Sequence, residues 1–265
     1  MGKRHFTAYV WDGKSYPLDR INHSINLMKM HSVLITGANR GIGLEFARAY
    51  AGIGWRVFAT CRAPDRALTL ADLATKTGSL VSLHQLDVTS DVSVTTLAKE
   101  LREESIDILI NNAGAMLPAE TFGNYNYEKW VQTYEVKTGG AARGTEARIN
   151  QVAASDRKVV AAISSGLGSI ADNTSGGWAA YRASKAALNM TMKTLSLELV
   201  SRGIACVVMS PGWVQTDMGG ANAHLTPEES VSGMREVLDQ VSIATTGRFY
   251  HYTCLLYTSP SPRDG

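Results

Sequence analysis

A tyrosine and a lysine four residues apart carry the first chemical signal in this sequence. Tyr181 and Lys185 stand in the segment Tyr-Arg-Ala-Ser-Lys, and this spacing places both side chains on one face of a helix. An ammonium beside a phenol favours the phenolate, and lowering a tyrosine pKa from about 10 towards about 7 takes roughly 4 kcal/mol of differential stabilisation. Such a tyrosine is a good general acid for a developing alkoxide near neutral pH. The alternative is an ordinary pair of surface side chains.

The prediction of a catalytic pair depends on the residues around it, because the motif alone is common. The chain holds ten tyrosines, and the same spacing recurs at Tyr125 and Lys129. Tyr181, in contrast, follows an apolar strand pattern that ends at Ser164 and Ser165. Ligands of open α/β sheets bind at the carboxyl ends of the strands, where a hydroxyl can donate to a carbonyl oxygen. Ser165 is therefore the third predicted catalytic residue, with a strand-end cap as the alternative.

A glycine-rich turn lies between an apolar strand and an amphipathic stretch. Residues 36–43 read Thr-Gly-Ala-Asn-Arg-Gly-Ile-Gly, with the spacing G-x-x-x-G-x-G. Glycines let the backbone turn sharply and approach a pyrophosphate, and the following helix N-terminus supplies free N–H groups and partial positive charge. The flanking strand and helix favour a dinucleotide site over a simple tight turn. The predicted contacts are Gly37, Asn39, Arg40, Gly41, Ile42 and Gly43.

The residues after the second strand pattern predict which dinucleotide binds. An acidic residue there would accept hydrogen bonds from the adenosine ribose, but the sequence has Cys61 and Arg62. Arg62 together with Arg40 suits a 2′-phosphate, so NADP(H) is preferred over NAD(H). Asp65 would argue for NAD(H), but it lies beyond Pro64 and is expected to point away. The alternative is that both arginines are solvated surface charges.

Alternating strand and helix patterns must position these residues. Repeated strand–helix–strand units imply a single α/β domain of the doubly wound Rossmann type, a parallel sheet with helices on both faces. The strands are short, aliphatic or β-branched runs bounded by turn residues, at 33–37, 56–61, 80–87, 106–111, 158–164 and 204–210. The clearest amphipathic stretches are 42–51, 92–101 and 178–200.

Composition excludes several other classes of protein. A formal net charge of +2 does not suit a field-driven binder of nucleic acid or membrane surfaces, and no apolar run reaches the ~18 residues of a membrane span. The three cysteines and six histidines show no ligand or disulfide spacing, so no metal is expected. We therefore expect a cytoplasmic protein without nucleic-acid or membrane partners.

The two ends of the chain differ from its middle. Residues 1–29 are polar and aperiodic, and we interpret them as an extension outside the domain, either natural or upstream translated sequence. Residues 30–253 form the predicted domain. Residues 254–265, Cys-Leu-Leu-Tyr-Thr-Ser-Pro-Ser-Pro-Arg-Asp-Gly, resemble a translated sequencing adapter and are set aside from the fold. A genuine Pro/Ser-rich tail is the alternative.

These motifs, in this order, resemble the short-chain dehydrogenase/reductase family. The match runs from about residue 33 to 252 and includes Asn111-Asn-Ala-Gly114 and Pro211-Gly-Trp-Val-Gln-Thr216. Three segments, residues 36–45, 171–178 and 211–220, resemble the C-factor and sniffer-like carbonyl reductase branch.

The resemblance implies a role for each matched position. Tyr181 would donate the proton, Ser165 would orient the carbonyl, and Lys185 would hold the ribose and lower the tyrosine pKa. A homodimer contact through the Tyr181 helix is a further implication. The remaining cofactor contacts would be Asp87 and Val88 at the adenine, Asn112, Ala113 and Gly114 at the ribose, and Pro211, Gly212, Val214 and Thr216 over the nicotinamide.

The sequence departs from the family pattern at one catalytic position. The family carries asparagine in a V-N-x-x-G setting before the Ser-bearing strand, and Lys137 stands here instead. Lysine cannot accept a hydrogen bond, and an ammonium within about 6 Å of Lys185 would repel it by about 3 kcal/mol at an effective dielectric near 20. It could lower the tyrosine pKa further, displace Lys185 or extend into solvent. Gly144 and Arg148 are also unusual for a packed helix.

Two functions from different classes compete. The first is NADPH-dependent reduction of a small apolar aldehyde or ketone, because Trp178, Trp213, Met218 and residues 115–122 are expected to form apolar walls. The second is a cofactor-binding regulatory or signalling protein of the same fold with weak or no turnover. Lys137 adds weight to the second, although we expect it to reduce activity without abolishing it. A damaged gene product that folds poorly is a third possibility.

Overall fold

A computed structural model describes residues 8–11, 14–17, 30–114 and 121–257 of the chain. The chain divides into two units, Met1–His31 and Ser32–Gly265. In the first unit, β1 (Ala8–Trp11) and β2 (Lys14–Pro17) pair as an antiparallel hairpin.

The second unit is built on a sheet of seven parallel strands. Their order across the sheet is β5-β4-β3-β6-β7-β8-β9. The bounds are β3 Ser32–Thr36, β4 Arg56–Cys61, β5 Val81–Gln85, β6 Ile108–Asn111, β7 Val159–Ile163, β8 Ala205–Ser210 and β9 Phe249–His251. The chain winds from β3 to β5 in one direction and from β6 to β9 in the other, so β3 and β6 flank the point where the winding reverses.

Helices cover both faces of this sheet. They are α1 Gly41–Gly52, α2 Leu68–Thr77, α3 Asp91–Glu100, α4 Tyr127–Tyr134, α5 Gly140–Ala153, α6 Ala179–Glu198 and α7 Pro227–Gln240. One buried cluster joins Val33 and Ile35 of β3 to α1, α2 and α7. The other joins Leu34, which points to the opposite face, to α3, α5 and α6. The predicted doubly wound Rossmann-type sheet is confirmed.

The strand predictions differ from the structure mainly at the ends. β5 stops at Gln85 rather than 87, so Leu86, Asp87 and Val88 leave the sheet at its carboxyl edge. β9 was not predicted, because three half-buried residues give too short a pattern to recognise. Residues 254–257 turn back on β9, with Tyr257 stacked on Phe249 at 4.4 Å between ring centres. The predicted origin of residues 254–265 and the domain bounds remain predictions.

Among the helices described, none combines the length and apolarity needed to cross a bilayer.

Candidate active site

A cleft of about 480 Å³ lies at the carboxyl edge of the sheet, where the winding reverses. This is the place where open α/β sheets bind ligands. All the predicted cofactor-binding residues line it except Gly212 and Val214. The lining members of that set are Gly37, Asn39, Arg40, Gly41, Ile42, Gly43, Arg62, Asp87, Val88, Asn112, Ala113, Gly114, Tyr181, Lys185, Pro211 and Thr216.

The glycine turn has the shape that close approach to a ligand requires. Gly37 has φ +68°, and a Cβ atom on it would lie 3.0 Å from Cα of Ala113. A Cβ atom on Gly43 would collide with the carbonyl oxygen of Gly37. A side chain at either position would therefore displace the turn from the segment 112–113 that it packs against.

Asn112 fastens this turn to the end of the neighbouring strand. Its Nδ2 donates to the carbonyl oxygens of Thr36, at 2.8 Å, and Gly37, at 3.1 Å. In return, the Thr36 hydroxyl accepts from the backbone N–H groups of Asn112 and Ala113, each at 2.9 Å. The ends of β3 and β6 thus form one rigid floor under the cleft.

The predicted catalytic residues meet where β7 and α6 border the cleft. Tyr181 and Lys185 lie on the first turns of α6, and Nζ of Lys185 donates to the carbonyl oxygen of Ile163 at 2.7 Å, 5.8 Å from the centre of the Tyr181 ring. Ser165 follows β7; its side chain hydrogen-bonds to the Tyr181 phenol and accepts from the N–H of Leu167. Ser165 thus caps the strand end, as the alternative interpretation expected, and it also contacts the phenol.

The electrostatics of Tyr181 differ from the expectation. Burial raises the pKa of the Tyr181 phenol above its ordinary value, and the hydrogen bond from Ser165 offsets only part of that rise. Lys185 is not among the causes of this shift, and a lowering by Lys185 together with an oxidised nicotinamide stays a prediction. Burial, and secondarily the charge of Lys137, hold the pKa of Lys185 well below its ordinary value, so its ammonium is itself disfavoured.

Lys137 lies inside the site rather than in solvent. It stands in a π-helical turn, Glu135–Gly139, between α4 and α5, and only 3% of its surface is exposed. Its Nζ is 4.9 Å from the centre of the Tyr181 ring and 3.5 Å from where a Cβ atom on Gly114 would be. Burial lowers the pKa of Lys137 to about 8. The expectation that Lys137 extends into solvent is therefore wrong. Lys137 also does not displace Lys185, which keeps its hydrogen bond to β7.

The comparisons with known proteins identify the family. Residues 31–225 match the family model described as short chain dehydrogenase. This chain belongs to that family. The C-signal protein of Myxococcus xanthus is 41% identical over 147 residues, which cover 56% of this chain and 89% of that protein. Among solved structures, the carbonyl reductase Sniffer of D. melanogaster matches with a TM-score of 0.82 and 30% identity over 86% of this chain and 99% of its own. The NADPH-bound carbonyl reductase from chicken fatty liver matches with a TM-score of 0.81 and 34% identity over 87% of this chain and 100% of its own.

The end of the cleft that is predicted to hold the adenosine differs in part from the expectation. Arg62 lines it, and Asp65 is exposed beside Arg66 and lies outside the lining, as expected. Arg40, however, pairs with Asp217 at 2.8 Å. Asp217 follows β8, which lies on the opposite side of β3 from β4 and Arg62. Of the two arginines expected to act together, Arg40 is therefore paired on the far side of β3 from Arg62.

Three polar lining residues were missed by the sequence analysis: Arg66, Thr89 and Asp217. Thr89 donates from its N–H and its hydroxyl to Asp87, and these hydrogen bonds, ahead of the charge of Arg62, hold the pKa of Asp87 below its ordinary value. Each missed residue follows a predicted one within four positions. Polar side chains adjacent to predicted contacts are the signal that would have found them.

The apolar walls are present in part. Met218 lines the cleft, and Trp178 and Trp213 are 40% and 49% exposed. The Trp178 ring meets the Tyr181 ring edge-on, with 6.4 Å between the centres. Of the predicted wall at 115–122, residues 115–120 lie outside the described residues, and the side chain of Phe122 is almost fully exposed.

Proposed function

We propose that this chain is an NADPH-dependent oxidoreductase that reduces a small apolar aldehyde or ketone to an alcohol, with Tyr181 as the general acid. The observation that carries the proposal is the arrangement of one cleft. Tyr181 and Lys185 line one end of it, with Ser165 bonded to the Tyr181 phenol but outside the lining, and Arg62 and Arg66 line the other end. Between them lies the glycine turn, whose shape excludes a Cβ atom at Gly43.

The residues present fit a dinucleotide. The cleft runs along the end of β3, over a floor held by Asn112 and in front of the N-terminus of α1, where backbone N–H groups favour a pyrophosphate. When bound, a reduced nicotinamide supplies the hydride for the carbonyl carbon. The chain's own residues must then orient the carbonyl and provide one proton.

Tyr181 is in the protonation state that reduction needs. Its raised pKa keeps the phenol protonated at neutral pH, so it can donate a hydrogen bond to the carbonyl oxygen and transfer its proton as the alkoxide forms. The hydroxyl of Ser165, already bonded to the phenol, is placed to orient the same oxygen. Oxidation of an alcohol would need the phenolate, which burial disfavours. These properties favour the reductive direction.

The preference for NADPH and for apolar carbonyls has separate support. Arg62 and Arg66 offer guanidinium groups at the adenosine end, and no acidic side chain of the described cleft lining follows β4 directly. The chicken carbonyl reductase similar to this chain was solved with NADPH bound. Trp178 and Met218 favour apolar groups beside the reacting carbon. A homodimer through α6 stays a prediction; Met190 and Leu197 are exposed apolar side chains of that helix.

The test combines cofactor binding with turnover. NADPH and NADH are titrated by fluorescence, and NADPH oxidation is followed with small aromatic aldehydes and diketones, with an aldose sugar as the polar comparison. We expect Tyr181→Phe to lower kcat by about 100-fold or more while the Kd for NADPH stays within about threefold. Tyr125→Phe is the matched control, because Tyr125 has the same spacing to Lys129 but lies outside the cleft lining. Equal losses in the two variants would contradict the assignment.

A second candidate is a cofactor-binding regulator of the same fold. The similarity to the C-signal protein and the burial of Lys137 beside Tyr181 favour it. It predicts NADPH binding without carbonyl turnover, both in the native sequence and in Lys137→Asn. Turnover that rises in Lys137→Asn would favour the reductase.

A further inference from the structure

Two segments meet across the cleft, one from each half of the sheet. Nη1 of Arg40, in the glycine turn, lies 2.8 Å from a carboxylate oxygen of Asp217, in the loop after β8. At the adjacent positions, Gly41 after Arg40 and Thr216 before Asp217, a Cβ atom on Gly41 would lie 3.2 Å from Cγ2 of Thr216. The turn and the loop therefore approach each other at consecutive positions, and the ion pair ties them together.

The pair is made of side chains that are free to exchange partners. The side chains of Arg40 and Asp217 are 65% and 74% exposed, and both residues line the cleft. An ion pair this exposed contributes little to stability, so another anion in the cleft can displace the carboxylate. The acid at the adenosine end, Asp87, is instead bonded to Thr89.

We propose that Asp217 is a specificity-determining residue that competes with the 2′-phosphate of NADP(H) for Arg40. This inference rests on the proposed use of NADP(H). A phosphate with nearly two charges and three acceptor oxygens is a stronger partner for a guanidinium than a single carboxylate, so NADP(H) breaks the pair and NAD(H) leaves it intact. Breaking the ion pair makes the binding free energy of NADP(H) less favourable and leaves that of NAD(H) unchanged. Asp217 thus narrows the difference in affinity between the two cofactors.

The competition also links the cofactor's adenosine end to the loop after β8. When Arg40 turns to a phosphate, Asp217 loses its contact with the glycine turn. Asp217 directly follows Thr216, which with Pro211 is predicted to cover the nicotinamide. Binding of the phosphate to Arg40 therefore removes the ion pair that holds the loop after β8 against the glycine turn.

The test is a set of Kd measurements for NADPH and NADH at low and physiological salt, on the full chain. We expect Asp217→Asn to tighten NADPH binding by about two- to fivefold at low salt and to leave NADH binding unchanged. Asp72→Asn is the matched control, since Asp72 forms an ion pair with Lys76 on α2, outside the cleft lining. It should change neither Kd.

A double-variant cycle separates competition for Arg40 from simple repulsion of the phosphate. Arg40→Gln should weaken NADPH binding selectively, and adding Asp217→Asn to it should tighten NADPH by less than about 1.5-fold. Equal tightening of both cofactors by Asp217→Asn, or the full effect persisting without Arg40, would overturn the inference. Failure of the native chain to bind either cofactor, or a preference for NADH, would instead overturn the proposed function.

Discussion

Nζ of Lys137 lies 4.9 Å from the centre of the Tyr181 ring, closer than Nζ of Lys185 at 5.8 Å. Two amines from different helical segments thus share one buried phenol. The charge of Lys137 is, after burial, a cause of the lowered pKa of Lys185, whereas burial alone lowers the pKa of Lys137. The ammonium of Lys185, which is predicted to assist the phenol, is therefore disfavoured in this site.

Replacing Lys137 with asparagine should increase turnover. Lys137→Asn removes the charge that opposes the ammonium of Lys185, so Lys185 stays protonated to higher pH beside Tyr181. We expect kcat for carbonyl reduction at pH 7 to rise by about tenfold, which corresponds to about 1.4 kcal/mol of barrier, with the alkaline limb of the pH profile moved upwards. Lys99→Asn, at an exposed position of α3, serves as the control. An unchanged kcat and pH profile would count against a catalytic effect of Lys137.

The stability of the protein should depend on pH through the same lysine. Burial lowers the pKa of Lys137 in the folded chain to about 8 from its ordinary value of 10.5. Below about pH 8 both the folded and the unfolded chain carry this charge, and the penalty for burying it is constant. Between about pH 8 and 10.5 the unfolded chain still binds the proton that the folded chain has lost, so the folded state gains stability as pH rises.

Chemical denaturation of the native chain and Lys137→Met measures this effect. The variant should be the more stable of the two at pH 7, and its advantage should shrink by roughly 3 kcal/mol between pH 8 and 10.5. Lys99→Met controls for the loss of an exposed charge. A difference that does not vary with pH would show that Lys137 is not desolvated in the folded chain.

Arg148 should be a source of instability. It is fully buried in α5, and burial lowers its pKa to about 10. Its Nη1 donates to the carbonyl oxygen of Gly144 at 3.1 Å, but Nε and Nη2 lack partners among the described residues. Because a buried charge without a counter-ion is costly, Arg148→Met should raise the free energy of unfolding by about 1–3 kcal/mol. Arg102→Met, on the surface, should change it by less than about 0.5 kcal/mol in the same denaturation measurement.

The glycine turn should tolerate no side chain at position 43. A Cβ atom there would meet the Gly37 carbonyl oxygen and lie 2.5 Å from Nδ2 of Asn112. Gly43→Ala should therefore displace the turn and weaken NADPH binding by about tenfold or more, measured by fluorescence titration. Gly52→Ala is the control in the same helix, because nothing lies within 4 Å of its Cβ position. Binding by Gly43→Ala at native affinity would show that the pyrophosphate does not lie on this turn.

Much of the fold follows from local patterns in the sequence. Runs such as 33–37 and 204–210 are apolar because strands of a parallel sheet are buried on both faces, and this gives a signal that needs no tertiary information. The same is true of the glycine turn, whose spacing reflects steric limits of the backbone. β9 escaped prediction because it is an edge strand of three residues, stabilised by pairing with β8 rather than by its own pattern.

By itself, the sequence determined the type of sheet, the glycine turn and the set of residues at the carboxyl ends of the strands, because these depend on spacing and side-chain size. Only the tertiary structure decided which charges meet. The partnership of Arg40 with Asp217 joins residues 177 positions apart, and the burial of Lys137 against Tyr181 joins two separate helical segments. Such contacts depend on how the elements pack and on how much water remains between them, and both are properties of the folded chain.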